Sequence, residues 1–266
     1  MPELAGIVTG ASSGIGLAIA ERLAADGLGL CLVAAPDDEA ELHELAARLD
    51  AVALAADVGE PGTAERAVAL TLERYGRVDR LAANAGIAYF EPALDATLEH
   101  FDHTMHVNVR GMYLTMMAAA RHMAAHGGGA ICCTASTASF AGEELQAIYN
   151  ASKGAVAQLA RSLAVDLAPH GIRVNAVAPG WVRTRATSAL LADEALWAKY
   201  RSRIPLDRAA EPREIAAVVR FLLSDEASYV TGSLVVADGG NTAGYRISDW
   251  DAVPQPLEPR AFGGAP

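Results

Sequence analysis

Eight residues near the start of the chain read Thr9-Gly10-Ala11-Ser12-Ser13-Gly14-Ile15-Gly16 and separate two apolar segments. Residues 4–9 form an apolar run of strand length, and residues 17–27 have the apolar spacing of a helix. Gly10 permits a tight turn, Gly14 lets a phosphate approach the backbone, and Gly16 allows close packing of helix on strand. The unit predicts a helix N-terminus that binds the pyrophosphate of a dinucleotide, although a turn used only for packing fits the same glycines.

Strands and helices alternate along the rest of the chain. We predict further strands at residues 29–34, 52–56, 78–83, 130–134, 172–177 and 234–237, and helices ending near Leu49, spanning 61–75, 98–125 and 212–223, and following Tyr149. This alternation favours an α/β fold, a doubly wound parallel sheet of about seven strands with helices on both faces. Ligands of such sheets bind beyond the carboxyl ends of the strands, where Gly10, Asp57 and Asn84 fall.

Composition excludes several classes of function. The 266 residues are 52% hydrophobic, enough to fill the core of one large domain, and the net charge of -11 argues against nucleic acid and anionic membranes as partners. An apolar stretch of about 20 residues and a basic, secretory-type N-terminus are both missing from the sequence, which favours a cytoplasmic protein. Cys31, Cys132 and Cys133 lie in apolar runs and are expected to be buried thiols.

The segment 98–125 carries His103, His106, His122 and Asn108 inside a helical pattern. Since no cysteines or carboxylates at ligand spacing accompany His103, His106 and His122, we expect ordinary surface or core histidines and no metal site. Asn108 is a poor helix former at a mid-helix position. It indicates either a backbone kink or bound water, or simply a solvated face.

A tyrosine and a lysine stand four residues apart in a chain that carries 19 arginines and only two lysines, Lys153 and Lys199. The pattern after Tyr149 is helical, so Tyr149 and Lys153 share one helix face. A cation beside a phenol lowers its pKa and makes it a usable proton donor and acceptor. An ordinary surface pair fits the same five residues.

Six motifs together resemble the classical short-chain dehydrogenases/reductases, over residues 4 to about 240. They are Thr9-Gly10-x-x-x-Gly14-x-Gly16, Asn84-Ala85-Gly86, Asn108, Ser136, Tyr149-x-x-x-Lys153 and Pro179-Gly180. The resemblance implies a single Rossmann-like NAD(P)-binding domain over residues 1–240 that moves a hydride between the cofactor and a secondary alcohol or ketone. Alternatives are a 3-oxoacyl thioester reductase and a non-catalytic protein that binds nicotinamide dinucleotides.

The resemblance also implies residue roles. Tyr149 is the acid/base, Lys153 binds the nicotinamide ribose and lowers the pKa of the phenol, Ser136 polarises the substrate oxygen, and Asn108 anchors a water of the proton relay. The implied cofactor-binding residues are Gly10, Ser12, Ser13, Gly14, Ile15, Gly16, Asp57, Val58, Asn84, Ala85, Gly86, Tyr149, Lys153, Pro179, Gly180, Val182 and Thr184. None of this chemistry needs a metal.

The choice between NAD and NADP is less clearly marked. Relatives that use NAD end the second strand with an acidic residue, where this chain has Ala34. Relatives that use NADP have a basic residue at one of two positions, which are Ser13 and Ala35 here, so both signatures are absent. The acidic run Asp37-Asp38-Glu39 follows and would repel a 2'-phosphate near the ribose. We therefore expect a weak preference for NAD.

Two segments border the substrate in relatives, and both are polar here. Glu143, Glu144 and Gln146 suit a hydroxylated substrate, or else a solvent-facing loop. Residues 185–207 correspond to the family's substrate loop, and its arginines would suit a carboxylate. It contains Arg185, Trp197, Tyr200, Arg201 and Arg203.

The C-terminal extension, residues 241–266, continues beyond the point where many relatives stop. It alternates aromatic residues with prolines, which favours an extended arm on a neighbouring subunit over a disordered tail. The resemblance implies a homo-oligomer, either a dimer or a tetramer.

Overall fold

Seven parallel strands form one sheet in the computed structural model, which describes residues 2–244. The strands are β1 Ala5–Thr9, β2 Gly29–Ala34, β3 Val52–Ala55, β4 Arg80–Ala83, β5 Gly129–Thr134, β6 Ile172–Pro179 and β7 Leu234–Ala237. Their order across the sheet is β3-β2-β1-β4-β5-β6-β7. The predicted doubly wound fold is confirmed, and β2 and β7 have the predicted bounds.

Nine α-helices accompany the strands in the described part of the chain. They are α1 Gly14–Ala25, α2 Glu39–Leu49, α3 Thr63–Tyr75, α4 Leu98–Met105, α5 Met112–Ala125, α6 Ala147–Leu167, α7 Ser188–Ala192, α8 Glu194–Arg201 and α9 Pro212–Leu223. They cover both sheet faces because neighbouring strand residues point to opposite sides. Cys132 belongs to the core on one face and Cys133 to the core on the other. Both cysteines, like Cys31, are buried free thiols, as expected.

The strand order reverses between β1 and β4, which are neighbours although 70 residues of chain separate them. They pair in parallel, with Gly6 opposite Arg80. At such a reversal the loops leave the sheet in opposite directions and open a crevice at the strands' carboxyl ends. The glycine turn after β1 and Asn84 after β4 meet there.

The predicted helix over residues 98–125 is interrupted. Residues His106–Gly111 form a π-helical segment between α4 and α5. Such a segment inserts an extra residue per turn and is frequent at functional sites. Asn108 lies within it and is fully buried, so the kink predicted from this residue is confirmed and a solvated face is wrong.

Within residues 2–244 we find no helix with the length and hydropathy required to cross a bilayer. The aromatic residues of the C-terminal extension, Tyr245, Trp250 and Phe262, lie outside the described residues. The arm on a neighbouring subunit therefore stays a prediction.

Candidate active site

The glycine turn after β1 packs as its sequence predicts. Gly10 and Gly14 have φ of 65° and 55°, in the left-handed region that favours glycine. A Cβ atom on Gly16 would overlap the carbonyl oxygen of Gly10, so only glycine allows α1 to start this close to the strand. The result is a bare backbone cradle at a helix N-terminus, which fits the pyrophosphate of a dinucleotide.

Asn84 joins this turn to the end of β4. Its backbone N–H donates to Thr9 Oγ1 at 2.9 Å, and its side-chain amide donates to the carbonyl oxygen of Thr9 at 3.2 Å. Thr134 Oγ1 at the end of β5 donates to the Asn84 amide oxygen at 3.0 Å. Three adjacent strand ends are thereby fixed relative to one another, which gives the crevice a rigid floor.

Asn108 clamps the chain that follows Gly86. Its side-chain oxygen accepts from the Ile87 N–H at 2.8 Å, and its amide donates to the Ile87 carbonyl and to Ser152 Oγ, both at 2.9 Å. Both amide hydrogens are thus used within the protein. The side chain positions the backbone of Ile87 and the first turns of α6, and the water relay implied by the resemblance stays a prediction.

Lys153 is only 3% exposed and reaches into the same space. Its ammonium donates to the carbonyl oxygen of Thr134 at 2.8 Å and lies 5.6 Å from the centroid of the Tyr149 ring. A Cβ atom on Gly86 would lie 3.2 Å from both Lys153 Nζ and Asn108 Oδ1, so the glycine makes room for these groups. Burial lowers the pKa of Lys153 to about 8.

The Ser136 hydroxyl lies close enough to the Tyr149 phenol to lower its pKa. Ser136 Oγ also accepts from the Ala138 N–H at 3.1 Å, which fixes the hydroxyl at the end of β5. Burial raises the pKa of Tyr149 to about 12; the Ser136 hydroxyl lowers it, and the charge of Glu143 raises it further. The expectation of a phenol acidified by Lys153 is therefore wrong for the protein alone, because burial and the Glu143 carboxylate outweigh the lowering by Ser136 and Lys153 adds no lowering of its own.

The four predicted catalytic side chains thus form one contiguous group. Ser136 contacts Tyr149, the Tyr149 ring faces Lys153, and Lys153 and Asn108 flank Gly86. The group brings a neutral phenol and a hydroxyl close together, two donors of the kind that can polarise a carbonyl oxygen.

The loop after β3 contributes to a cluster that the sequence pattern missed. His106 Nε2 lies 3.1 Å from Asp57 Oδ2 and 3.7 Å from Glu60 Oε1. The expectation that no carboxylates accompany the histidines is therefore wrong for His106. The sequence pattern missed this pair because 49 residues separate His106 from Asp57. The three ligand atoms lie within 4.8 Å of one another, a spacing open to a cation, although the glutamate is exposed. Asp57 also accepts from the Gly59 N–H at 2.8 Å, which orders the loop containing Val58.

The segment after β6 crosses the glycine turn. Gly180 N–H donates to the Ala237 carbonyl at 3.1 Å, and Val182 is buried beside it and pairs with Ala210. The methyl group of Thr184 would lie 3.1 Å from a Cβ atom on Gly14, so the segment that begins at Pro179 returns to the phosphate cradle. The cofactor-binding residues predicted in this segment, from Pro179 to Thr184, therefore reach the glycine turn.

The loop before α6 holds a carboxylate beside the phenol. Glu143 accepts from Thr137 Oγ1 and from Gln146 Nε2, both at 3.1 Å, and its backbone carbonyl accepts from Asn150 Nδ2 at 2.9 Å. Glu143 is partly buried, whereas Glu144 is exposed. Of the two glutamates, Glu143 is thus the one that belongs to the site.

Comparison with known proteins agrees with this geometry. Residues 10–242 match the family described as enoyl-(acyl carrier protein) reductase. L-rhamnose 1-dehydrogenase (NAD(P)(+)) of Sphingomonas sp. (strain SKA58) is 38% identical over 88% of this chain and 94% of its own. 2-(R)-hydroxypropyl-CoM dehydrogenase of Xanthobacter autotrophicus is 43% identical over 89% of this chain and 98% of its own.

A solved structure extends the likeness to three dimensions. A short-chain type dehydrogenase/reductase from Mycobacterium marinum superposes with a TM-score of 0.83 at 36% identity, covering 91% of this chain and 97% of that one. Together with the matched family and the sequence relatives, this likeness covers the crevice and all four residues of the contiguous group. The chain belongs to the short-chain dehydrogenase/reductase family, whose members are NAD(P)-dependent oxidoreductases.

Proposed function

We propose that this oxidoreductase interconverts a secondary alcohol that carries further hydroxyl groups and the corresponding ketone. Tyr149 is the acid/base, and the enzyme prefers NAD(H). The observation that carries the proposal is the grouping of Ser136, Tyr149 and Lys153, with the Ser136 hydroxyl near the phenol and the Lys153 ammonium 5.6 Å from the centroid of its ring. When bound, the nicotinamide supplies or accepts the hydride. Ser136 and Tyr149 donate hydrogen bonds to the substrate oxygen, and Tyr149 yields its proton during reduction and takes one during oxidation.

The same residues support cofactor binding. The glycine cradle would take the pyrophosphate, Lys153 the nicotinamide ribose, and Thr184 the carboxamide side. Of the acidic residues after β2, Asp38 lies close to the cradle, because it accepts from Ser12 Oγ at 2.8 Å. A carboxylate there disfavours a second phosphate on the ribose, which supports the preference for NAD(H).

A panel of secondary alcohols and ketones tests this proposal. We expect turnover on at least one polyol or sugar with either cofactor, and kcat/KM about tenfold higher with NAD(H), followed by the absorbance of the reduced nicotinamide. An acyl thioester reduced far faster than every polyol-derived ketone would favour a 3-oxoacyl thioester reductase. Cofactor binding with no turnover on any compound would favour a non-catalytic binding protein.

The surroundings of Tyr149 favour hydroxyl groups over a carboxylate on the substrate. Glu143 offers two anionic oxygens, each with a lone pair left after its bond to Thr137 or Gln146. Of the arginines expected to hold a carboxylate, Arg185 pairs with Asp38 and Arg201 with Asp207. The acceptor-rich side of the pocket therefore supports a polyol or sugar, the class to which the rhamnose of the Sphingomonas enzyme belongs.

Replacing Glu143 with glutamine should separate hydroxylated from simple substrates. We expect kcat/KM for a polyol to fall roughly 10- to 100-fold, because a charge-assisted hydrogen bond contributes about 1.5–3 kcal/mol. A simple secondary alcohol such as 2-butanol should lose much less. The matched control is Glu144→Gln, at the exposed neighbour, and an equal loss on both substrate classes would contradict the assignment.

The oligomeric state and location are proposals of the same kind. Leu98, Phe101 and Tyr113 on α4 and α5, and Val165 on α6, leave large apolar side chains exposed, which supports a homo-oligomer built on these helices. The buried free cysteines suit a reducing, cytoplasmic compartment.

A further inference from the structure

One carboxylate joins three distant parts of the cofactor crevice. Asp38 ends a short turn after β2, and its Oδ2 accepts from Ser12 Oγ in the glycine turn at 2.8 Å. Arg185, the first residue of the substrate loop, donates through Nη2 to both carboxylate oxygens, at 2.9 Å and 3.0 Å. Although 147 positions separate Asp38 from Arg185, the fold brings them together over the turn.

This carboxylate follows the strand whose end recognises the adenosine ribose in dinucleotide-binding folds. An acidic residue about 20 residues beyond the glycine turn usually takes the ribose hydroxyls. The strand position for that residue is Ala34, and the next residue is Ala35, so neither side chain can do so. Asp38 follows Gly14 by 24 residues and is held against the turn by Ser12. The carboxylate that is absent at Ala34 is thus present four residues later, at Asp38.

Asp38 is held ionised and oriented. Burial alone would raise its pKa, but the hydrogen bond from Ser12 and the guanidinium of Arg185 outweigh burial, so that the pKa lies below its ordinary value. Only 21% of the side chain is exposed, against 64% for Arg185. A carboxylate fixed from two sides is a preorganised hydrogen-bond acceptor.

We propose that Asp38 is the specificity-determining residue for the adenosine ribose in place of Ala34, and that Arg185 positions it. Ionised Asp38 accepts from a ribose hydroxyl and disfavours a 2'-phosphate at the same place. This inference rests on the proposed function, because it assigns a residue within the cofactor site of that oxidoreductase.

Arg185 has a second consequence for the choice of cofactor. Its guanidinium is committed to Asp38, and it would be released if the carboxylate lost its charge. A released guanidinium beside the ribose suits a phosphate, which it binds bidentately. Changing Asp38 and changing Arg185 should therefore alter the NAD/NADP preference in opposite directions, whereas a merely structural role would weaken both cofactors equally.

The test is calorimetric titration with ligands that carry only the adenosine end, namely 5'-AMP and adenosine 2',5'-bisphosphate. In Asp38→Asn we expect the affinity for the bisphosphate, relative to 5'-AMP, to rise at least tenfold over the unmodified protein. In Arg185→Gln the same ratio should fall by threefold or more, because Asp38 then stands unpaired beside the extra phosphate. NADH and NADPH binding, followed by fluorescence, should show the same two shifts.

Asp37→Asn and Glu39→Gln are the matched controls, because they remove the same charge from exposed neighbours. Both should leave the ratio within twofold of the unmodified protein. The proposal is overturned if Asp38→Asn leaves the ratio unchanged, or if either control shifts it as far. Failure of the proposed function would instead appear as absent turnover on the panel of alcohols and ketones. The titrations with adenosine ligands do not depend on turnover.

Discussion

Replacing Tyr149 with phenylalanine is expected to lower kcat by at least about 100-fold while cofactor affinity stays within a few fold. The substitution removes one oxygen, and with it the proton that must reach the substrate in reduction. General acid–base catalysis contributes roughly 10²- to 10⁴-fold, and the lost hydrogen bond to the substrate oxygen adds to that effect. Steady-state rates in both directions, with NADH binding measured by fluorescence, give the two quantities.

The pH dependence supplies a second measure on the unmodified enzyme. Burial raises the pKa of Tyr149 to about 12, so the phenol is protonated and ready to donate throughout the neutral range. Oxidation requires the deprotonated form, whose fraction grows with pH below the pKa. The oxidation rate should therefore rise from pH 7 to pH 10, while the reduction rate shows no matching rise.

Ser136→Ala is the companion variant for this first prediction. It leaves the phenol in place but removes the neighbouring hydroxyl, which lowers the pKa of Tyr149. We expect a smaller loss of kcat than for Tyr149→Phe and an oxidation profile displaced to higher pH. A Tyr149→Phe enzyme that keeps more than about a hundredth of its turnover would refute the acid/base assignment.

Elements with a strong local pattern could be predicted from the sequence to the residue. Helix α9 runs over Pro212–Leu223, as predicted, because proline suits the first helical position and the apolar spacing repeats without interruption. The interruption at Asn108 was also indicated, since one polar residue inside an apolar helix suggests a kink. Helix 98–125 was nevertheless predicted as a single element, because the π-helical turn depends on bonds to Ile87 and Ser152 in other elements.

The parts of the site that could not be predicted depend on distant pairs and on burial. No local pattern relates Asp38 to Arg185 or His106 to Asp57, because each contact forms only once the sheet has brought separate loops to one edge. The predicted lowering of the Tyr149 pKa was wrong for a related reason. Spacing places Lys153 beside the phenol, but how strongly burial opposes ionisation depends on all the elements packed around it.

Replacing Lys153 with methionine is expected to reduce turnover by at least about 100-fold and to raise the free energy of unfolding at pH 7. Lys153 is buried, and its pKa falls from 10.5 to about 8, so the folded protein holds a charge in a poorly solvated place. The difference corresponds to roughly 3 kcal/mol at 1.36 kcal/mol per unit of pKa. Loss of the hydrogen bond to Thr134 offsets about 1 kcal/mol, which leaves a net gain of about 2 kcal/mol.

The sign of this effect should change with pH. Below about pH 8 the lysine is protonated in both the folded and the unfolded chain, so the full cost of burying the charge is present. Between about 8 and 10.5 the folded protein loses the proton first, and the cost disappears as pH rises. The stability advantage of Lys153→Met should therefore shrink across that window and become a loss of about 1 kcal/mol near its upper end, where only the missing hydrogen bond to Thr134 remains.

Lys199→Met is the matched control, because Lys199 is the second of the two lysines and lies exposed on α8. It should change neither the unfolding free energy nor turnover appreciably at any pH in the window. Chemical denaturation at pH 7, 9 and 10.5 separates the two variants. A Lys153→Met protein less stable than the unmodified chain at pH 7 would show that the ammonium stabilises the fold. A buried lysine that costs stability at neutral pH and is still required for turnover is expected of a residue that serves the site and not the fold.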